Sequence, residues 1–281
     1  MSPPVEQGDG DSDAPASDSA VNRADSAGVP WAGRSFAPNP HAADDGRAPA
    51  ALAEVLRRFR AGEVGQAEVV AEFGHARLLI PLLAELGDGG AELGEHGLAV
   101  DKSQELSIVT VAGPDGRRVL PVFASVEAMS RWNPVARPVP ADGVRVALAA
   151  ADDGTDLVVL DPGSDTEFVL RRPAIWAVAQ SQSWHPSYDA IEVRDAFEQS
   201  ITTELAVLGV ELAPGDPDAR LVGPELVVRL TLVAGLTRAE LDAVLQRLAA
   251  RWAADDAIAT LVDSLTVRLL TGPAESGAGS A

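Results

Sequence analysis

The stretch Leu106–Trp132, LSIVTVAGPDGRRVLPVFASVEAMSRW, constrains the fold more than any other part of the chain. Ile108, Thr110 and Ala112 alternate with Ser107, Val109 and Val111, the period-two pattern of a half-buried strand. Gly113-Pro114-Asp115-Gly116 supplies turn chemistry, and Val119 to Phe123 returns as a second strand. Ser125 then caps a helix that carries Glu127 in its first turn, where the helix dipole favours a carboxylate. Met129 and Trp132 are predicted to face the sheet, and Asn133-Pro134 stops the helix. A hairpin followed by a helix buries its apolar faces by layering helix on sheet, the α+β solution.

The remaining elements follow the same logic. Leu52, Val55, Leu56 and Phe59 recur at helical spacing, with Arg57, Arg58 and Arg60 outward. Residues 66–75 predict a second short helix burying Val69, Val70 and Phe73. The apolar run Arg77–Leu83 is too short for a buried helix and reads as a strand. Pro81 has no N–H to donate, so that strand is expected at a sheet edge or to carry a bulge. Pro134, Pro138 and Pro140 keep the following segment extended. Asp142 opens a helix with Val144, Val146 and Leu148 that ends at Gly154. A second hairpin joins Leu157–Leu160 to Glu167–Leu170 through Asp161-Pro162-Gly163-Ser164. Pro173 suits the first turn of a helix containing Ile175, Trp176 and Val178.

The polar connector SQSWHPSYD, residues 181–189, marks the expected domain boundary. Beyond it, Ala190, Val193, Phe197 and Ile201 form a helical stripe, and strands are predicted over 205–212 and 225–233. Thr237 and Glu240 make a capping box for a helix burying Leu241, Val244, Leu245, Leu248 and Trp252. Leu265–Leu270 is the last strand. The expected architecture is α+β: two α/β-sandwich-like domains, each a small, mostly antiparallel sheet with helices packed on it. The boundaries are a disordered acidic arm over 1–48, domains over 49–180 and 187–271, and a tail over 272–281.

Composition narrows the partners. The 281 residues suffice for two domains, and with 46% hydrophobic but only 4% aromatic residues their cores must be built from Ala, Val and Leu. A net charge of −20 repels phosphate, so neither nucleic acid nor an anionic membrane surface is expected as a partner. Arg117-Arg118 and Arg171-Arg172 read as solvated strand ends. The absence of cysteine excludes disulfides, thiolate metal sites and cysteine nucleophiles. The N-terminus lacks a basic segment followed by an apolar one, and no run of about 18 apolar residues occurs, so a cytoplasmic protein is expected.

No sequence motif specifies a reaction. G-x-S-x-G, H-E-x-x-H and a dinucleotide G-x-G-x-x-G after a strand are all missing. Asp9, Asp11 and Asp13 imitate a calcium loop that fails at Ala14 and Ala20. Gly87-Asp88-Gly89-Gly90 lacks phosphate-loop spacing, and His96 has no second ligand nearby. No cofactor and no metal are expected. Ser183, His185 and Asp189 are the one group resembling a hydrolytic triad, on a polar connector that supports catalysis poorly.

Four residues stand out as candidates for interaction. Trp31 and Arg34, in Val29-Pro-Trp-Ala-Gly-Arg34, read either as a stray linker aromatic or as a short anchor, the indole filling a groove and the guanidinium pairing with a carboxylate. Lys102 is the sole lysine, either surviving by chance or kept where a compact ammonium suits better than a guanidinium. Trp184, in the connector, is the fourth.

Gly116-Arg-Arg-Val-Leu-Pro-Val-Phe-Ala-Ser-Val-Glu127, with Trp132 following, resembles the G…LPVFTS-x-E…W segment of the SseB family, with Ala124 in the usual threonine position. Leu160-Asp-Pro-Gly-Ser164 resembles its (N/D)PGS turn, and residues 29–34 and Lys102-Ser103-x-Glu105 resemble actinobacterial members. The resemblance spans about residues 29–270 and implies an SseB N-terminal-type domain followed by a C-terminal-type domain. It implies no catalytic residue. Three functions are therefore expected to compete. The first is a non-enzymatic module that binds or regulates a protein partner. The second is a small-ligand-binding protein or hydrolase using the interdomain cleft around Ser183, His185 and Asp189. The third is homo-oligomerisation through a sheet edge such as the Pro81 strand.

Overall fold

A computed structural model describes residues 44–85, 105–108, 110–113 and 116–272. Trp31, Arg34, Lys102, the acidic run at 9–13, the glycine-rich 87–103 segment with His96, and the tail after Gly272 lie outside the described residues.

The chain is α+β. Helices α1 (Ala50–Arg60) and α2 (Gln66–His75) precede strand β1 (Arg77–Glu85), and β2 (Glu105–Ile108), β3 (Val111–Ala112) and β4 (Arg118–Val122) follow. Next come α3 (Val126–Trp132), β5 (Arg137–Asp142), α4 (Gly143–Asp152), β6 (Leu157–Leu160), β7 (Phe168–Arg171) and α5 (Arg172–Ala179). After the connector, α6 (Ile191–Ile201), β8 (Val207–Pro214), β9 (Leu226–Leu232), α7 (Arg238–Ala254), α8 (Asp256–Leu261) and β10 (Leu265–Thr271) complete the order.

The first half builds two sheets where one was expected. One has the order β2-β1-β5 and the other β3-β4-β6-β7. The predicted strand over 107–112 divides between them: Ile108 pairs with Leu82 of β1, whereas Val111 pairs with Val119 of β4. Gly116 N–H donates to the Gly113 carbonyl (3.0 Å), and Val111 and Ala112 pair with Val119 and Arg118 of β4. Residues upstream of β3 take β1 as partner instead. Among the described residues, one bridge, Leu79 to Phe123, joins the two sheets.

Pro81 corrects the edge expectation, because β1 is the central strand of its sheet. Its nitrogen lies on the same side as the Leu79 N–H, which donates to the Phe123 carbonyl (2.8 Å), while the β2 ladder begins only at Leu82. The proline thus fills the gap between two partners, where no donor is required. Edge-to-edge association through β1 loses its basis. The edge strands of this sheet are β2 and β5, and Pro138 and Pro140 of β5 suit that place.

Residues 44–48, expected in the arm, are held to the body. Asp44 pairs with Arg77 at 2.7 Å, and the Val126 N–H donates to the Gly46 carbonyl at 2.8 Å. Gly46 has φ +74°, and a Cβ there would lie 2.7 Å from a Val126 methyl.

The second half is a three-stranded sheet of order β10-β9-β8. Val193 and Phe197 of α6, Val244, Leu248 and Trp252 of α7, and Ile258 of α8 cover one face. The Thr237–Glu240 capping box forms as the sequence predicts. The Asp255 side chain accepts from the Ile258 N–H (3.0 Å) and starts α8.

Candidate functional site

Two places where the halves meet differ in chemistry, one a buried ionic joint and the other an apolar cleft. The joint is centred on Arg171, at the end of β7. Its guanidinium donates to Asp216 (2.7 Å), the Gly223 carbonyl (2.8 Å), Asp263 (3.1 Å) and Ser264 (3.3 Å). Arg117 adds a second cation, with Nη1 at 2.8 and 3.1 Å from the two Asp263 oxygens. Arg171, Asp216 and Asp263 are almost wholly buried. Burial of this kind is tolerable only because each charge has several partners. Arg171 therefore corrects the solvated-strand-end reading, and it makes no basic patch because two carboxylates neutralise it.

The loop 215–225 brings Asp216 to this place. Ala219 and Leu221 both take left-handed φ, +48° and +58°. The Asp216 carboxylate accepts the Arg220 and Leu221 N–H groups (3.1 and 2.8 Å), which stabilises that turn. Val169 N–H donates to the Ala219 carbonyl (2.8 Å), so the loop covers the free edge of β7. Glu225 closes the loop, accepting from the Ser187 N–H (3.2 Å) and the Asp263 N–H (2.7 Å). Burial pushes its carboxyl pKa up, and the nearby Asp263 charge adds to the shift against the hydrogen bonds it accepts.

The cleft is built around the connector. The connector is pinned rather than loose: Gln182 N–H reaches the Ala177 carbonyl (2.8 Å), and Ser187 is fixed on Glu225. Tyr188 is half-buried, and burial first, then Asp189 and Glu225, push its phenol up to about 12. Trp184 packs against the main core, and its indole Nε1 is buried without a hydrogen-bond partner. It stands between two grooves that share residues 182–185. One, about 480 Å³, runs along the small-residue face of α2, including Val70, Ala71 and Gly74, and is closed by Val144 and Val178. The other, about 610 Å³, lies between α5, the connector, the start of α6 and the end of α8. Trp176, Ile191 and Leu261 give it apolar walls, and Asp189 and Glu192 line it as well.

Trp176, which the sequence places in this helix, is 41% exposed. The period of α5 carries the explanation, since Ala174, Ile175 and Val178 take the buried stripe and position 176 falls outside it. Arg172 lies over its ring at 5.4 Å. Ser183, His185 and Asp189 share the second groove, but all three are exposed and no hydrogen bond links them. The relay that nucleophilic catalysis requires is not assembled.

Residues 52–177 match the family model of the SseB protein N-terminal domain. The match runs from α1 to within two residues of the end of α5. Trp176 and Arg171 therefore lie inside the matched segment, whereas Trp184 and the whole β8–β10 sheet follow it. No curated protein and no solved structure shows a significant match to the chain. Among the described residues, no helix is long and apolar enough to cross a membrane, and no group of three or more acidic or imidazole side chains could hold a metal ion.

Proposed function

We propose that this chain is a non-enzymatic, cytoplasmic interaction or regulatory module of the SseB type, with a C-terminal SseB-like domain over 187–271 following the N-terminal one. Its docking face is the cleft around Trp184 and Trp176. The observation that carries this reading is an exposed tryptophan and a half-buried one lining the same groove as Ile191, itself 61% exposed. Tryptophan is over-represented at binding hot spots, and clustered exposed apolar groups mark interaction surfaces. Trp31, Arg34 and Lys102 are further contact residues on the same reading.

A photo-crosslinking residue placed at Ile191 in the full-length chain tests it. The expected result is a discrete crosslinked species that disappears in Trp176→Ala, with no such species from Val135, which is more exposed and does not line the groove. Equal crosslinking from both positions, or none, overturns the reading. A second reading, small-ligand binding, is favoured by the 480 Å³ apolar groove, a volume typical of ligand pockets. It predicts a small molecule co-purifying with the chain and lost on Ala71→Trp, at an exposed position lining that groove.

A further inference from the structure

We propose that the 610 Å³ cleft takes an arginine side chain carried on an apolar segment of a partner protein. The inference rests on the interaction reading above and adds the chemistry of the occupant.

Two kinds of group line this cleft together. Trp176 and Trp184 offer indole rings, the aromatic side chains that attract a cation most strongly. Asp189 and Glu192 offer carboxylates, and among the described residues neither is engaged in an ion pair. Among the described residues, no lysine or arginine lines the groove. The nearest guanidinium, Arg172, is spoken for: it lies over Trp176 and donates to the Ala259 and Val262 carbonyls (3.1 and 3.4 Å). That contact also shows that the indole at 176 accepts a guanidinium in this molecule. A chain of net charge −20 adds long-range attraction for a basic partner and repulsion for an acidic one. Ile191 and Leu261, exposed and half-buried walls of the same cleft, suit apolar residues beside the arginine. Arginine fits better than lysine because its flat, weakly hydrated guanidinium stacks on a ring while its edge meets a carboxylate.

Three short peptides of sequence acetyl-Ala-Leu-X-Leu-Ala-amide, with X arginine, glutamine or glutamate, test the inference on the full-length protein. Binding is followed by the indole N–H resonances of Trp176 and Trp184. The arginine peptide is expected to bind about tenfold more tightly than the glutamine peptide, with the glutamate peptide weakest. Its advantage should shrink in high salt. The double variant Asp189→Asn, Glu192→Gln should abolish the preference in a chain that still unfolds cooperatively, with only a small fall in midpoint because Glu192 lies in the first turn of α6. Equal binding of all three peptides, or a preference that survives the double variant, overturns the cation inference and leaves the docking cleft standing. If no peptide moves either indole signal, the Ile191 crosslink decides how far the failure reaches. With that crosslink present, only the arginine inference falls; without it, the interaction reading falls too.

Discussion

The Arg171 joint and the Trp184 cleft lie on either side of the same connector and treat polar and apolar groups in opposite ways. At the joint, charged groups are buried and every one has partners: Arg171 alone makes four hydrogen bonds to the second half. At the cleft, large apolar groups remain in contact with solvent, and the buried indole N–H of Trp184 has no partner. The first pattern fixes the geometry of a chain. The second leaves interaction capacity unspent. Catalysis would require the reverse of both, with partly satisfied polar groups converging on a sheltered space. The docking proposal draws on the second pattern.

If the joint is structural, removing its centre should have the largest effect. Arg171→Ala leaves Asp216 and Asp263 buried with part of their neutralising charge gone, and is expected to cost about 3–5 kcal/mol. Urea unfolding measures this directly, and a loss below about 1 kcal/mol would mean that water or Arg117 replaces the guanidinium. Arg171→Lys should recover only part of the loss, because one ammonium cannot span both carboxylates and the Gly223 carbonyl.

Glu225 gives the joint a pH dependence of defined sign. Burial raises its folded-state pKa, so between the unfolded value of about 4.3 and the raised folded value the folded chain binds more protons than the unfolded one. Its contribution therefore favours folding below the unfolded pKa and is lost as pH rises through the folded one. Glu225→Gln should remove this slope from the urea stability measured across that window. It should also introduce a constant loss, since only one end of the amide can accept from Ser187 or Asp263. Asp161 is likewise raised by burial and contributes a slope of the same sign, so the difference between Glu225→Gln and the native chain is the informative quantity. An unchanged slope would show that the Glu225 carboxyl is better solvated than its burial indicates.

These two effects were illegible in the sequence for a definite reason. Arg171 looked like a strand-end arginine because its partners are 45 and 92 positions away. The split of residues 105–112 between two sheets was equally hidden, since β1 is a distant partner chosen only in three dimensions. What could be read is local. The 157–170 hairpin, the Thr237–Glu240 capping box and the Val244–Leu248–Trp252 stripe each depend on residues within a few turns of one another. Trp176 lies between the cases: the buried stripe of α5 excludes it, so its exposure was available from helical period alone. Trp184 was a candidate from sequence, although its position between two grooves depends on α2 and α8.

The cleft should respond to substitution in function more than in stability, and the two tryptophans separate these effects. Trp184→Phe keeps most of the apolar contact with the core and removes an N–H that has no partner, so stability should change by no more than about 1 kcal/mol in either direction. Trp184→Ala should cost more, because the main core loses a packed ring. Trp176→Ala is expected to have the smallest effect, within about 0.5 kcal/mol, since its exposed ring contributes little to the core. Yet the same change should abolish the Ile191 crosslink. Unfolding melts beside crosslinking yield check the pair together. A Trp176→Ala variant that lost both stability and crosslinking would place that ring with the joint, as a structural element, and would remove the contrast on which the docking cleft depends.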